Sequence, residues 1–264
     1  MRPSGRTRVF ALLGDPVSHS LSPVMQNAAF RVLGLDAVYV PLRCSAADVA
    51  GLMRALACAG GGGNVTVPHK RQAAASVDRL TEGAEGSCNT FWAEEETLVG
   101  TSTDPAGILG GLAAISAPAS SWLIIGTGGS AWAAVDAAIK AGASVAVRSR
   151  SPERAAALLA RATAAGARSA PIEACDVAIN ATPLGLADGD PFPLDPPGAI
   201  RFGLDLVYRR GMTPWVRALR AAGCQAADGR EVLVAQGAAA VERWFPGVRA
   251  PTEVMRATVA AALR

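Results

Sequence analysis

The stretch WLIIGTGGSAWAAV (122–135) joins a short apolar run to an alanine-rich run through a glycine-rich turn. The apolar run predicts a buried strand, and the alanine-rich run predicts a helix. Between them lies the spacing Gly126-x-Gly128-x-x-Ala131, which is typical of dinucleotide-binding turns, because glycine allows a pyrophosphate to approach the backbone at a helix N-terminus. A plain strand-to-helix turn can share this spacing, but the flanking strand and helix favour nucleotide binding. We therefore predict a Rossmann-like unit around this turn.

The chain alternates strand-like and helical stretches on both sides of this turn. RVFALLG (8–14) predicts a strand, and PVMQNAAFRVLG (23–34) predicts a helix with Ser22 as its N-cap. Such alternation indicates mainly parallel sheets with helices on both faces. Because the alternation restarts at 122–126, we predict an α/β protein of two domains. The tail after residue 228 predicts two helices with no strand between them, and the pattern alone leaves open which domain they join.

Composition and charge narrow the class of partners. The 25 basic and 22 acidic residues are scattered along the chain, so we expect neither nucleic acid nor an anionic membrane as a partner. No stretch approaches the ~20 apolar residues of a membrane span, and we expect a cytoplasmic location. The five cysteines form no CxxC pair, and His19 and His69 form no ligand motif. We therefore expect no metal site and two exposed loop histidines.

The residues about twenty positions after the glycine turn decide the type of dinucleotide. An acidic side chain there would bind the ribose 2′-hydroxyl of NAD, whereas arginine accommodates a 2′-phosphate. The chain has Arg148, Arg150 and Arg154, with no acid before Glu153. A guanidinium suits a phosphate dianion, so the sequence favours NADP over NAD. Charges that merely face solvent at a helix start are the alternative.

Polar side chains in the first domain indicate a small-molecule substrate. Ser20 and Ser22 lie ahead of a predicted helix N-terminus, where hydroxyls and free backbone N–H groups can bind a carboxylate. Simple capping by Ser22 is the alternative. Asn89 and Asp104 lie at predicted turns beside apolar segments, where they can face a cleft. Taken singly, each is more often a turn residue than a catalyst, because Asn and Asp bond their own backbone in turns.

The stretch GGGGNVTVPHK (60–70) has a glycine run before a lysine, which suggests a phosphate-binding loop. A P-loop, however, needs glycine directly before the lysine and serine or threonine directly after it, whereas here histidine precedes and arginine follows. We instead predict that the glycines form a loop into a strand. Asn64, Thr66 and Lys70 would then alternate from the strand end towards a cleft.

The motifs taken together resemble those of the shikimate dehydrogenase family over nearly the whole chain. In the first half these are GDPVSHSLSPVMQNAAF, GNVTVPHK, GSCNT and STDPAG. In the second half they are GTGGSA, SRS, NATPLG, DLVYRRGMTP and DGREVLVAQGA. Their number and order make a chance similarity negligible.

The resemblance implies a role for each residue that falls on a family motif. Lys70 and Asp104 match the catalytic pair. The substrate-binding positions are Ser20, Ser22, Thr66, Asn89, Tyr208 and Gln236. The NADP-binding positions are Gly126, Gly128, Gly129, Ser130, Arg150, Arg154 and Thr182. The implied domains are a substrate-binding domain of residues 1–104, completed by the C-terminal helices in 230–264, and a Rossmann-like NADP-binding domain of residues 105–229.

The implied activity is the NADPH-dependent reduction of 3-dehydroshikimate to shikimate. Lys70, paired with Asp104, would hydrogen-bond the developing alkoxide and relay a proton to it. A quinate or aminoshikimate dehydrogenase of the same family is the alternative, and a ligand-sensing protein without catalysis is a third interpretation. We expect either a monomer or a homodimer.

The chain departs from the family pattern at a few positions. Ser102 replaces an asparagine, and Gln26 replaces a histidine. Arg230, Glu231 and Val232 replace Leu-Gly-Met, whose methionine normally lies near the nicotinamide. This last change puts the cofactor geometry in question, whereas the catalytic pair is retained.

Overall fold

The computed structural model describes residues 4–81, 86–193 and 199–264. Its strands are β1 (Arg8–Gly14), β2 (Ala37–Arg43), β3 (Gly62–Val65), β4 (Arg79–Leu80), β5 (Thr90–Glu94), β6 (Thr97–Thr101), β7 (Ser121–Ile125), β8 (Ser144–Arg148), β9 (Arg168–Ser169), β10 (Val177–Asn180), β11 (Phe202–Asp205) and β12 (Gln225–Ala227). Its helices are α1 (Ser22–Val32), α2 (Val49–Cys58), α3 (Lys70–Ser76), α4 (Asp104–Ala113), α5 (Gly129–Ala141), α6 (Pro152–Ala164), α7 (Pro214–Ala221), α8 (Gly229–Trp244) and α9 (Thr252–Ala262). Over the described ranges, none of these helices combines the length and apolarity that crossing a membrane requires.

The chain divides into two compact units. The first contains Met1–Thr103 and Gly237–Ala262, and the second contains Asp104–Gln236 and Leu263–Arg264. The end of α8 and all of α9 therefore belong to the first unit, which settles the position of the tail that the sequence pattern left open. It stays a prediction that the substrate binds to residues 1–104 with 230–264 and that NADP binds to residues 105–229.

The sheet of the first unit has the order β2-β1-β3-β5-β6-β4 and is mixed. Strand β1 pairs in parallel with β2 and β3, whereas β5 is antiparallel to both β3 and β6. A two-residue turn joins β5 to β6, and Glu95 adopts a φ of 54° there. The sequence gives little sign of this hairpin, because such turns usually carry glycine or asparagine where φ is positive.

The predicted loop covers only the first two glycines of the run, Gly60 and Gly61, because Gly62 and Gly63 already belong to the strand. Gly61, Gly62 and Gly63 are buried, and β3 begins at Gly62. A Cβ at Gly61 would overlap the carbonyl oxygen of Val9, and one at Gly63 would overlap that of Ala11. Glycine is needed here because β3 approaches the backbone of β1 too closely for any side chain.

Aromatic side chains attach the end of α8 to the first sheet. The ring of Phe10 on β1 lies 4.8 Å from that of Trp244 and 5.4 Å from those of Phe30 and Phe245. The indole N–H of Trp244 also donates to the carbonyl oxygen of Phe91 over 3.2 Å. These contacts hold the C-terminal segment against the sheet by buried aromatic area and one hydrogen bond.

The sheet of the second unit is wholly parallel, in the order β12-β11-β10-β7-β8-β9. Helices cover both of its faces, with α5 and α6 contributing to one apolar cluster and α7 to the other. The strand order reverses between β7 and β10. In sheets of this type, ligands bind at the carboxyl ends of the strands beside such a reversal. The turns after β7, β8 and β10 are therefore the places to look for a cofactor site.

Candidate active site

The predicted dinucleotide turn connects β7 to α5. Gly126 has a φ of 117°, and its N–H donates to the carbonyl oxygen of Arg148 at 2.8 Å. A Cβ at Gly128 or Gly129 would have no atom of the described residues within 4 Å, so both glycines leave open space beside the start of α5. An exposed helix N-terminus with free N–H groups and no side chains in the way fits a pyrophosphate. Ser130 lies exposed in the first turn of the same helix.

The predicted phosphate-binding arginines lie where β8 gives way to α6. Arg150 and Arg154 are exposed, and neither forms an ion pair with any residue that the structure describes. Ser151 caps α6 by accepting from the N–H of Arg154 over 3.3 Å, and its hydroxyl donates to Glu153, which lowers the pKa of that carboxyl. Cations at a helix N-terminus repel the positive end of the helix dipole. A bound phosphate would offset that repulsion, so these residues fit NADP.

Thr182 lies beside the dinucleotide turn. The γ-methyl carbon of Thr182 is 3.2 Å from the place where a Cβ of Gly126 would lie, and the carbonyl oxygen of Ala181 is 3.0 Å from it. The side-chain oxygen of Asn180 accepts from both the N–H and the hydroxyl of Thr182, over 3.0 and 2.6 Å. The structure therefore brings the turns after β7 and β10 together, as binding at the reversal of strand order requires.

In the first unit, the segments after β1 and β3 are joined by backbone hydrogen bonds. Thr66 N–H donates to the carbonyl oxygen of Leu13, and Asp15 N–H donates to that of Val67, over 2.8 and 3.2 Å. A Cβ at Gly14 would overlap the side chain of Thr66. The half-buried Thr66 therefore lies at the same sheet edge as the segment that leads to the serines.

Ser22 is the first residue of α1 and not its N-cap, so this part of the prediction is wrong. The N-cap is Leu21, and within the described part of the chain no side chain caps this helix. The N–H of Ser22 instead donates to the hydroxyl oxygen of Ser20 over 3.2 Å. Both serines are half-buried, and Ser20 thus has a local role in shaping the turn in addition to any role with a ligand.

Lys70 begins α3, so the predicted alternation from Asn64 to Lys70 does not hold beyond the end of β3 at Val65. The carbonyl oxygen of Lys70 accepts from the N–H of Cys88 over 3.0 Å, which joins this helix start to the segment that holds Asn89. The predicted exposure of His69 is also wrong. That imidazole is buried, with Nε2 3.0 Å from the carbonyl oxygen of Cys44. His19 is exposed, as predicted.

Asn89 is buried and bonded within the first unit. Its side-chain oxygen accepts from the hydroxyl of Thr90 and from the N–H of Thr103, each over 2.8 Å. Thr103 directly precedes Asp104, which begins α4 and is half-buried. Asn64 donates to the carbonyl oxygen of Asn89 over 3.0 Å. The structure therefore gives Asn89 a clear role in fixing the backbone ahead of Asp104.

Gln236 lies on α8, which packs closely against α4 in the second unit. A Cβ at Gly107 would lie 3.0 Å from that of Gln236 and 2.8 Å from the carbonyl oxygen of Val232. Glycine on α4 therefore allows the helix that begins at Asp104 to approach the helix that carries Gln236. Tyr208 follows β11 and is half-buried.

Two of the departures from the family pattern have structural partners. The guanidinium of Arg230 donates twice to the carboxylate of Asp228, over 2.7 and 2.6 Å, and this bond raises the pKa of Arg230. Asp228 is buried, so Arg230 supplies the charge that its carboxylate needs. Gln26 is buried on α1 and donates to the carbonyl oxygen of Gly237 over 3.1 Å.

Sequence reasoning misses a set of buried polar residues in the second unit. These are Asn180, Asp205 and Thr213. The motifs that contain them are recognisable in the sequence, but nothing in a linear pattern marks these polar side chains as buried.

Two family models match the chain. One describes the shikimate dehydrogenase substrate binding domain and matches residues 12–91, and the other describes the shikimate 5′-dehydrogenase C-terminal domain and matches residues 229–260. The shikimate dehydrogenase (NADP(+)) of Rubrobacter xylanophilus is 40% identical, with 92% of each chain covered. That of Methanothrix thermoacetophila is 39% identical, with 97% of this chain and 98% of the relative covered.

Solved structures agree with these relatives. The shikimate 5-dehydrogenase of Thermus thermophilus, in complex with NADP(H) and shikimate, is 33% identical and superposes with a TM-score of 0.85, covering 96% of this chain and 99% of that one. The ligand-free 5-ketofructose reductase of a Gluconobacter strain is 26% identical with a TM-score of 0.85, covering 97% and 99%.

Proposed function

The chain belongs to the shikimate dehydrogenase family, and from that premise we propose that it catalyses the NADP-dependent, reversible reduction of 3-dehydroshikimate to shikimate. The observation that carries the proposal is the dinucleotide turn at 126–131 together with two exposed arginines, without ion-pair partners among the described residues, at the start of α6. Arginine at this place selects the 2′-phosphate that distinguishes NADP from NAD.

The first unit is the proposed substrate-binding unit. Ser20 and Ser22, at the start of α1, would hold the substrate carboxylate with hydroxyl and backbone donors. Thr66 and Asn89 would contact ring hydroxyls. Tyr208 and Gln236, which lie in the second unit, keep the substrate-binding role that the family resemblance implies.

The proposed chemistry joins a hydride and a proton to a ketone. NADPH, when bound, supplies the hydride to the carbonyl carbon. Lys70 would donate a hydrogen bond to the carbonyl oxygen, stabilise the negative charge that develops there and deliver the proton that completes the alcohol. Asp104 is its proposed carboxylate partner. In the oxidation direction the same groups would remove the hydroxyl proton as the hydride leaves.

The substrate and cofactor are tested together by initial rates. We expect the oxidation of shikimate with NADP⁺ to have the highest kcat/KM among the pairings of shikimate and quinate with NADP⁺ and NAD⁺. 5-Ketofructose with NADPH is a further control, because a structural neighbour reduces it. A preference for quinate with NAD⁺ would replace the proposal by a quinate dehydrogenase. Ligand binding without turnover of any pair would replace it by a sensing protein.

The arginines can be tested separately from turnover. We expect Arg150→Ala and Arg154→Ala each to weaken NADP⁺ binding by about tenfold to a hundredfold, because each removes a charged hydrogen bond to phosphate. NAD⁺ binding should stay within about twofold, since NAD⁺ lacks the 2′-phosphate. Isothermal titration calorimetry measures both constants. Arg217→Ala removes the same charge from an exposed position on α7 and should leave both constants unchanged. An equal loss for both nucleotides would show that these arginines do not read the 2′-phosphate.

A further inference from the structure

A buried polar cluster lies at the carboxyl ends of β10 and β11. Asn180 and Asp205 are register partners on these two parallel strands, and Thr213 caps α7 close by. All three side chains are 0% exposed. A carboxylate buried this deeply needs hydrogen bonds to compensate for its lost hydration. The hydrogen-bond partners of Asp205 indicate its role.

Asp205 accepts hydrogen bonds on both oxygens. Oδ1 accepts from the side-chain amide of Asn180 at 2.8 Å and from the N–H of Val207 at 3.1 Å, and Oδ2 accepts from the hydroxyl of Thr213 at 2.7 Å. An ionised carboxylate has no proton to donate. It therefore forces the NH₂ group of Asn180 to face it, and the oxygen of Asn180 must point the other way.

That oxygen organises the turn beside the dinucleotide site. It accepts from the N–H and the hydroxyl of Thr182, while the NH₂ group of Asn180 also donates to the carbonyl oxygen of Leu184 over 3.1 Å. The hydroxyl oxygen of Thr182 in turn accepts from the N–H of Leu184 over 3.2 Å. One amide thus fixes residues 182 and 184. The γ-methyl carbon of Thr182 lies 3.2 Å from where a Cβ of Gly126 would be, which is closer than ordinary van der Waals contact.

We propose that Asp205 is a positioning residue for the nucleotide site, which acts by fixing the amide of Asn180 so that the turn 181–184 keeps its shape beside Gly126. The proposal rests on the proposed function in one respect, that NADP binds at the turn 126–131. Asp205 itself is buried behind the turn and is not a catalytic residue.

The energetic cost of this carboxylate supports a role beyond folding. Burial raises the pKa of Asp205 to about 6, even though bonds from Thr213, Val207 and Asn180 favour the ionised form, and the charge of Asp228 adds to the increase. Carboxyl groups whose pKa is raised by burial, and which are still ionised at neutral pH, are typical of functional sites. Arg230 forms an ion pair with Asp228. The buried charge of Asp205 is instead compensated by neutral hydrogen-bond donors.

The central test is Asp205→Asn. Asparagine keeps the shape but replaces one acceptor oxygen by an NH₂ group, so two opposite orientations of the Asn180 amide become available. We expect NADP⁺ and NAD⁺ binding, measured by calorimetry without substrate, to weaken by about fivefold, because a charged hydrogen bond becomes a neutral one. Both nucleotides should be affected, since this turn follows β10, whereas the arginines that would read the 2′-phosphate follow β8, and β7 lies between these two strands.

Thr213→Val is the matched control. It removes a hydrogen bond from the same carboxylate, but on the side of α7 and not of the nucleotide turn. We expect its melting temperature to fall while nucleotide binding stays within about twofold. Thr182→Val removes the hydroxyl at the other end of the chain of bonds, and Thr182→Ser retains it. If Asp205 acts through Asn180 and Thr182, the effects of Asp205→Asn and Thr182→Val on binding are non-additive, and Thr182→Ser binds more tightly than Thr182→Val.

The outcomes separate this inference from the proposed function. The inference would be overturned if Asp205→Asn bound the nucleotides as tightly as the wild-type protein. It would also be overturned if Thr213→Val weakened nucleotide binding as much as Asp205→Asn does, because Asp205 would then have only a structural role. If the effects of Asp205→Asn and Thr182→Val on nucleotide binding are additive, Asp205 does not act through Asn180 and Thr182. A wild-type protein that binds NADP⁺ but does not oxidise shikimate refutes the proposed function, while the binding comparison still decides the role of Asp205.

Discussion

We expect Lys70→Ala to lower kcat for shikimate oxidation by about 10²- to 10⁴-fold, the usual contribution of a positioned acid or base. NADP⁺ affinity should stay within about twofold, because Lys70 lies in the first unit and every residue proposed to bind the nucleotide lies in the second. A loss of this size in both kcat and kcat/KM indicates an interaction made in the transition state. Steady-state rates and calorimetry with NADP⁺ measure the two quantities on the same preparation.

Arg71→Ala is the matched control for this change. Arg71 is the next residue on α3, is basic and is exposed. Its removal changes the net charge as Lys70→Ala does, and we expect near-normal kcat. If the two variants lose activity equally, the effect comes from local charge or from the stability of α3. Near-normal turnover by Lys70→Ala with intact NADP⁺ binding would remove Lys70 from the mechanism.

The parts of the fold that the sequence predicts well are those set by local pattern. The strand, glycine turn and helix at 122–135 are present because apolar periodicity and glycine both act within a few residues. The exposed arginines at the start of α6 follow for the same reason, since strand β8 and the capping residue Ser151 fix them locally. The elements of the proposed cofactor site are therefore predictable from local sequence alone.

The errors occur where distant segments decide the outcome. A glycine run is typical of a loop, but Gly61 and Gly63 pack against the backbone of β1, some fifty residues away in the chain, and Gly62 packs against that of Phe91. His69 is buried because Cys44 offers a carbonyl oxygen. No local rule contains these tertiary contacts, and the same holds for the cluster around Asp205.

The stretch after Asp228 departs from the family pattern, and the structure accounts for two of its residues. From the sequence, Arg230 and Val232 cast doubt on the cofactor geometry. In the structure, Arg230 neutralises a buried carboxylate, and Val232 packs against Gly107 and Gly111 on α4. These residues are therefore accounted for by packing and charge, and they give no independent support to a protein that has lost catalysis.

We expect the titration of Asp205 to make the free energy of unfolding depend on pH. Its pKa rises from an ordinary 3.8 to about 6 in the folded protein, mainly because of burial. A carboxyl with a raised folded pKa stabilises the native state when protonated, so its contribution is complete below 3.8 and is lost as the pH rises through about 6. Relative to Asp205→Asn, we expect the wild-type protein to gain about 2 kcal/mol in free energy of unfolding as the pH falls from about 7 to about 4.

Urea denaturation of both proteins across this range measures the difference directly. Other carboxyls, such as Asp78, whose pKa is lowered by Arg54, change stability in the opposite direction but contribute equally to both proteins and cancel. A difference that stays constant with pH would mean that Asp205 titrates as an ordinary carboxyl. Its burial would then be fully compensated by its hydrogen bonds, and the energetic argument for a functional role of that charge would be lost, leaving only the geometry of Asn180 and Thr182 in its support.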